Sequence, residues 1–448
     1  MKRSLTWRAL ILALFCASPA TAIAQDASDR HGRMDFQGRY IVSTSDADMV
    51  ASAYVDGDLG PREGRDAISI IPLDGDPRDW QAYEAFASNS VAGPPNAVAI
   101  SPNGQFAVVI ETLTPRPDTD APHSFSDLRH GNLAAVFDLS DPTNPTQVQQ
   151  VETLERPIAV SFNAAGDIVA ITYHPAGAGT DTPLALYRFA DGRLGERATP
   201  EIDGWPAGEQ LIDVAFHPEE NVLAILDTSG GATLRFAAVS DDLGVEVFGN
   251  VVDIDRAPYR VLWTPDGRHV VVNALYWGPD IAGTWIEAPR GSVLTVRMNA
   301  ETRDDGSMRH AFVSRVVTGV SPEGLAVSPD GRWIATTNLE RSYLPYDDAR
   351  ITWFSSITLA RLDQETGQLT EVGTFNYDGI LPEAAVFDNT GSYLAVANYD
   401  HFDDRREGSS IDFWRIQADP LDLSNVQLIR TEHSVPVSRG AHSMVIAR

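Results

Sequence analysis

One pattern recurs six times along the chain: a short apolar run, a polar turn rich in Pro, Asn, Asp and Gly, and a second apolar run. The copies are Asn96–Glu111, Ile158–Tyr173, Ile212–Asp227, Tyr259–Ala274, Glu323–Asn338 and Glu383–Asn398, each 16 residues long without gaps. Aligned on the turn, they carry Gly104, Gly166, Glu220, Gly267, Gly331 and Gly391, spaced 47 to 64 residues apart. Two strand-length apolar runs around a tight turn make a β-hairpin, and glycine in the turn reaches positive φ without a Cβ clash. A lone hairpin cannot bury its faces. A unit repeated at this interval must stack on its neighbours, which is the signature of a β-propeller. A helical bundle is excluded, because no segment keeps a 3.6-residue period for long and the chain holds 34 Gly and 28 Pro.

The ends of the chain complete the count. Gly440–Arg448 reads as a first run without a second, and Arg39–Asp46 as a second run without a first. Joined in one sheet they make a seventh blade that leaves no open strand edge. The expected fold class is therefore all-β: a seven-bladed β-propeller over residues 36–448, a single domain closed by N- and C-terminal strands in one blade.

Residues 1–24 have a different character. Lys2, Arg3 and Arg8 flank or precede an apolar stretch from Ala9 to Phe15, and Ala22-Ile23-Ala24 follows. This is the layout of a secretory signal peptide, too short to span a bilayer, with 25–35 as a tail. The reading makes the protein periplasmic or secreted, without membrane insertion. Cys16 is the sole cysteine and leaves with the signal, so neither a disulfide nor a thiol nucleophile is expected. Lys2 is the only lysine, which excludes Schiff-base and P-loop chemistry. Against 34 Lys plus Arg stand 62 acids, a formal net charge of −28 that makes nucleic acid a poor partner; a monomer is expected. Self-repulsion of this size predicts a Tm that rises with NaCl, and a Tm unchanged up to about 0.5 M salt would mean the charges are compensated locally.

With the hairpins placed, a family resemblance follows. Ser321–Glu340, Ser356–Gly373 and Gly391–Asp400 followed by Ser410–Ile416 resemble the repeats of the lactonase family of seven-bladed propellers. That family is similar to propeller-type 6-phosphogluconolactonase and overlaps the YVTN repeat class. The likeness covers most of residues 36–448. Where the family opens a hairpin with Pro-Arg-His, this chain reads Pro322-Glu323-Gly324 and Pro382-Glu383-Ala384. The resemblance implies the propeller fold and a hydrolase acting on a lactone or similar small polar ester.

In a propeller the innermost strand of each blade starts on one face of the disc and the second strand returns to it. Both ends of each hairpin therefore meet around the channel mouth. Three hairpins pair an acid with an amide there: Asn96 with Glu111, Glu323 with Asn338, and Glu383 with Asn398. Oxygen ligands converging on an axis suit a hard divalent cation such as Ca²⁺, and Glu111, Glu323, Asn338, Glu383 and Asn398 are the candidate ligands. Solvated strand ends rich in Asn and acids also arise because these side chains bond their own backbone. Arg439 and His442, at the opening of the terminal blade, are the catalytic candidates, His442 as general base and Arg439 as holder of an anion or oxyanion. Glu323 and Glu383 offer an alternative acid/base pair. Long loops, Thr112–Asn132, Leu275–Arg290, Leu339–Arg350 and Tyr399–Gly408, leave the same face with aromatic, Arg and acidic residues that suit a small polar ligand or carbohydrate. Two other functions fit these features: a non-catalytic propeller that binds a protein or glycan through its loop-rich face, and a lyase acting on an acidic sugar.

Overall fold

Seven four-stranded antiparallel sheets surround one axis in the structure, a computed structural model. It describes residues 34–448 apart from 91–95, 120, 175–182, 203, 206–209, 229–230, 276–287, 305, 404 and 420–421. The expected signal peptide and nearly all of the tail lie outside the described residues, and Asp35–Arg448 forms one compact unit. No described helix is long and apolar enough to cross a membrane.

Blade 1 runs, from the axis outward, Ala441–Ala447, Tyr40–Ser45, Ala67–Pro72 and Tyr83–Phe86. It is the expected closure: Tyr40 lies opposite Ala447 and Val42 opposite Val445. In the other six blades the four strands follow one another in the chain. Their innermost strands are Val98–Ile100 (blade 2), Pro157–Phe162 (3), Leu211–Phe216 (4), Pro258–Trp263 (5), Pro322–Val327 (6) and Ala384–Phe387 (7). Every hairpin expected from sequence forms the first two strands of a blade.

Local chemistry explains the turns. Gly104, Gly166, Gly267, Gly331 and Gly391 all sit at φ between 66° and 74°, where an L side chain would be strained. The turn at Glu220 manages without glycine: His217 Nδ1 accepts hydrogen bonds from the backbone N–H of Glu219 and Glu220. In blade 7, Asp388 Oδ1 takes the N–H groups of Ser392 and Tyr393 and fixes the same geometry from a side chain.

The cores lie between blades. Tyr40, Val42, Ile68 and Ile70 of blade 1 pack on Val98, Val109 and Phe137 of blade 2, and Tyr377 of blade 6 packs on Trp414 of blade 7. Outer strands instead mix exposed and half-buried positions, as Thr146–Glu152 does. Each fully buried large apolar side chain contributes about 1.5–3 kcal/mol. The sheets therefore hold one another, and the strand ends at the mouth are set on a rigid frame.

Candidate functional site

The connection between the second and third strands of blade 1, residues 46–66, folds over the channel mouth. Its short helix Ala53–Asp56 and the residues Met49, Ala51 and Leu59 pack against Leu113, Leu339, Tyr343, Ile380 and Tyr399, which come from loops of blades 2, 6 and 7. The result is a small apolar core that roofs the mouth. Two buried arginines tie it down. Arg439 pairs with Glu63 at 2.8 Å and donates to the carbonyls of Ala47 and Pro61; Arg116 donates to the carbonyls of Asp48 and Gly60. At its base Asp46 N–H donates to the Gly440 carbonyl at 3.0 Å. Gly440 sits at φ 84°, and a Cβ there would meet the Asp46 carbonyl oxygen at 2.0 Å.

Beneath the roof, Glu323 and Glu383 open the innermost strands of adjacent blades. They keep 9% and 6% of their surface, so a water-sized space still reaches them. Burial pushes the Glu323 carboxyl up to about 8. Glu383 is also held well above the carboxylate range, first by burial and then by the charges of Glu323 and Asp46. Two carboxyls sharing one buried site cannot both ionise cheaply, so the pair favours keeping a proton well above the pH at which a free carboxyl loses it. Four tyrosines feel these acids: Tyr54, Tyr259, Tyr343 and Tyr399 are all raised, chiefly by burial, with Glu323, Glu383 or both contributing. The Tyr54 hydroxyl is buried without a hydrogen-bond partner among the described residues.

Arg260 is a buried cation next to Tyr259, which also feels both glutamates. From blade 5 its guanidinium reaches Asn96 of blade 2 at 3.1 Å, a link between blades three steps apart around the ring. Burial lowers its pKa, with the neighbouring Asp213 opposing. Burial likewise pushes Asp213 up to about 7, and the Arg260 charge pulls it back.

The residues singled out from sequence do not all gather here. Glu323 and Glu383 come together. Glu111 instead accepts from the Ser88 hydroxyl and the Asn132 N–H, and its charge is felt by Asp66. Asn338 spends its amide on Ser356 and Thr358, and its oxygen accepts from Thr336. Asn398 donates to Ser410 and Asp412 and accepts from Tyr377. Both carboxamides thus serve as cross-strand links. His442 is buried in blade 1. Its Nε2 donates to Asn89 Oδ1 at 2.6 Å, its Nδ1 accepts from the Ser443 hydroxyl, and burial depresses its pKa to about 3. Arg439 is engaged with the roof as described. Of the long loops, residues 276–287 lie outside the described residues.

Sequence reasoning did not single out Arg260, Tyr54 or the roof. A signal for Arg260 exists: the second hairpin position reads Ala97, Ala159, Asp213, Arg260, Gly324 and Ala384, so one opposite-charge pair interrupts a row of small residues. Tyr54 lies outside every repeat and carries no comparable mark.

Outside the roof is a cleft of about 530 Å³ lined by residues that include Glu63, Tyr343, Tyr346, His401, Arg406 and Arg439. Tyr343 lines this cleft and also feels the Glu323 charge. At its rim Tyr346 and Trp353 are 52% and 56% exposed, with ring centroids 5.4 Å apart, and Trp353 packs on Phe402 at the same distance.

Residues 305–403, which include both glutamates, match the family described as lactonase, 7-bladed beta-propeller. Over this stretch the chain is lactonase-like. No curated protein matches it in sequence. Among solved structures, this lactonase-like chain is similar to the Pseudomonas aeruginosa periplasmic gluconolactonase, at 15% identity and a TM-score of 0.57, over 91% of this chain and 99% of that one. A Bacteroides uniformis protein with a provisional 6-phosphogluconolactonase assignment gives 14%, 0.58, 91% and 99%. A hypothetical selenium-binding protein of Sulfolobus tokodaii gives 10%, 0.57, 91% and 93%. At these identities the likeness carries the fold alone.

Proposed function

We propose that the protein hydrolyses a neutral lactone or a similar small polar cyclic ester, with Glu323 and Glu383 transferring the protons. The observation that carries this reading is the pair itself: two buried carboxyls on adjacent blades, both pushed above the usual carboxylate range, with Tyr259 feeling both of them and the adjacent Arg260. The ionised member of the pair takes a proton from water as the water oxygen attacks the lactone carbonyl. Arg260 stabilises the oxyanion. The ring C–O bond then breaks, and the protonated member gives its proton to the departing alkoxide. The pair begins and ends with one proton. His442, neutral and enclosed, has no part in this scheme, and Arg439 acts by holding the roof.

Substrate charge follows from the cleft. Its lining acids Asp56, Asp58, Glu63, Asp400 and Glu407 outnumber Arg406 and Arg439, and Arg439 is already paired with Glu63. That balance disfavours phosphorylated or acidic sugars, and with them a lyase on an acidic sugar. The exposed Tyr346 and Trp353 faces suit a sugar-like ring. The substrate enters from the cleft past Tyr343 when the roof lifts. The match of residues 305–403 to the lactonase family supports the reaction class, and the signal-like sequence of residues 1–24 supports a periplasmic location. The closed roof favours a second reading, a module that binds glycans at the aromatic rim without turning them over.

The test is a pH-stat assay of neutral sugar lactones beside their 6-phospho and uronic counterparts. Neutral lactones are expected to open at least about 10-fold faster than phosphorylated ones. Because the base must be ionised, the rate should rise on an acid limb near pH 8 and fall again once the second proton leaves. Glycan binding without ring opening would select the second reading, and a rate flat from pH 6 to 8 would remove the glutamate pair from the chemistry.

A further inference from the structure

We propose that Asp46, Asp48 and Asp66 form a divalent-cation site of the Ca²⁺ class, which staples the two ends of the roof loop to blade 1. One oxygen from each of the three lies within 4.8 Å of the others, and the residues are 0%, 1% and 1% exposed. None of the three belongs to the acid–amide positions of the repeats.

A cluster of acids alone would mean little, but here the hydrogen bonding is incomplete. Asp48 Oδ2 accepts the Arg116 N–H, and Asp66 Oδ2 accepts from the Asn89 N–H and the Ser90 hydroxyl. The second oxygen of each, Oδ1, is buried with no partner among the described residues. The nearby arginines do not supply one. Arg116 spends its guanidinium on main-chain carbonyls, and Arg439 is directed at Glu63, Ala47 and Pro61. The unpartnered Oδ1 atoms of Asp48 and Asp66 are costly as buried carboxylate oxygens unless a cation joins them. The donor set is all oxygen, which suits a hard ion. Dense burial leaves little room for the several waters that Mg²⁺ retains, so Ca²⁺ fits better.

The placement gives the cation a task. Asp46 directly follows Tyr40–Ser45 and Asp66 directly precedes Ala67–Pro72, so an ion between them closes the base of the loop that carries Tyr54. The site is independent of the lactone reading, since binding can be read with no substrate present.

The test is calorimetric titration of CaCl₂ into the chelator-stripped full chain, with melting followed in parallel. One-site binding and a higher Tm are expected for the wild-type protein. Asp48→Asn with Asp66→Asn should weaken binding by about 100-fold or more, while Glu323→Gln with Glu383→Gln should keep it within a few-fold. Without metal the Asn variant should melt no lower than wild type, because it relieves the repulsion. If that variant does not fold, Asp48→Asn alone must still lower the affinity. No heat and no Tm shift with Ca²⁺, Mg²⁺ or Mn²⁺ would overturn the proposal, as would unchanged affinity in the Asp48→Asn/Asp66→Asn variant or in Asp48→Asn alone.

Discussion

Deleting residues 441–448 is expected to replace the sharp unfolding of the intact chain with a broad transition at much lower temperature. The segment is the innermost strand of blade 1, paired along Tyr40–Ser45 from Tyr40 opposite Ala447 to Ser45 opposite Ala441. It also contacts the innermost strands of blades 2 and 7, and its Ser443 hydroxyl accepts the Ala97 N–H. Ala441, Met444 and Ala447 are buried. Removal bares the edge of Tyr40–Ser45 and opens both neighbouring blade interfaces at once. A loss comparable with a typical domain stability of about 5–15 kcal/mol follows, because the interfaces of a ring are cooperative only while it is closed. Scanning calorimetry and near-ultraviolet dichroism read the effect. A synthetic 438–448 peptide added in trans should sharpen the transition again. If the truncated chain melts as sharply and as high as the intact one, the closing strand does not hold the ring.

This closure was readable from sequence for the same reason the blades were. A hairpin buried against neighbours on both faces needs apolar runs and a turn with positive φ, and Ile334–Thr337 or Val270–Asn273 can satisfy little else. The half-hairpins at the two ends betrayed their missing partners. The site was legible only where it rode on that periodicity. Glu323 and Glu383 share an aligned position, so their convergence followed from the repeat. Asn338 and Asn398 occupy aligned positions too, but each amide found nearer partners across its own sheet, which periodicity cannot reveal. His442 looked available on an inner strand until Asn89, from a loop far away in the chain, closed its ring nitrogen. The roof stayed unread because a loop's fold depends on arginines far from it in the chain, Arg116 and Arg439, and no pattern in residues 46–66 announces them.

Replacing both glutamates, Glu323→Gln with Glu383→Gln, is expected to lower kcat by about 100-fold or more while making the fold more stable in alkaline solution. The catalytic half follows from removing base and acid together. The stability half has a definite sign. The folded Glu323 carboxyl sits near 8 against an unfolded value of 4.5, and Glu383 shifts the same way. The native state therefore binds more protons than the unfolded chain between these values, so stability is full below pH 4.5 and declines as pH rises through 8. Of the groups facing the pair, Asp46 reinforces this trend by repelling it, the raised tyrosines Tyr54, Tyr259, Tyr343 and Tyr399 add no charge near neutral pH, and Arg260 and Arg439 act on Tyr259 and Tyr399 rather than on the acids. Glutamine keeps the shape and drops the titration. Measured in chelator, the variant should match wild-type Tm near pH 4.5 and exceed it by several degrees at pH 8.5, where a relief on the order of a few kcal/mol is available. A variant that is inactive yet no more stable at pH 8.5 would mean the pair ionises without strain, and its role would then be substrate binding rather than proton transfer.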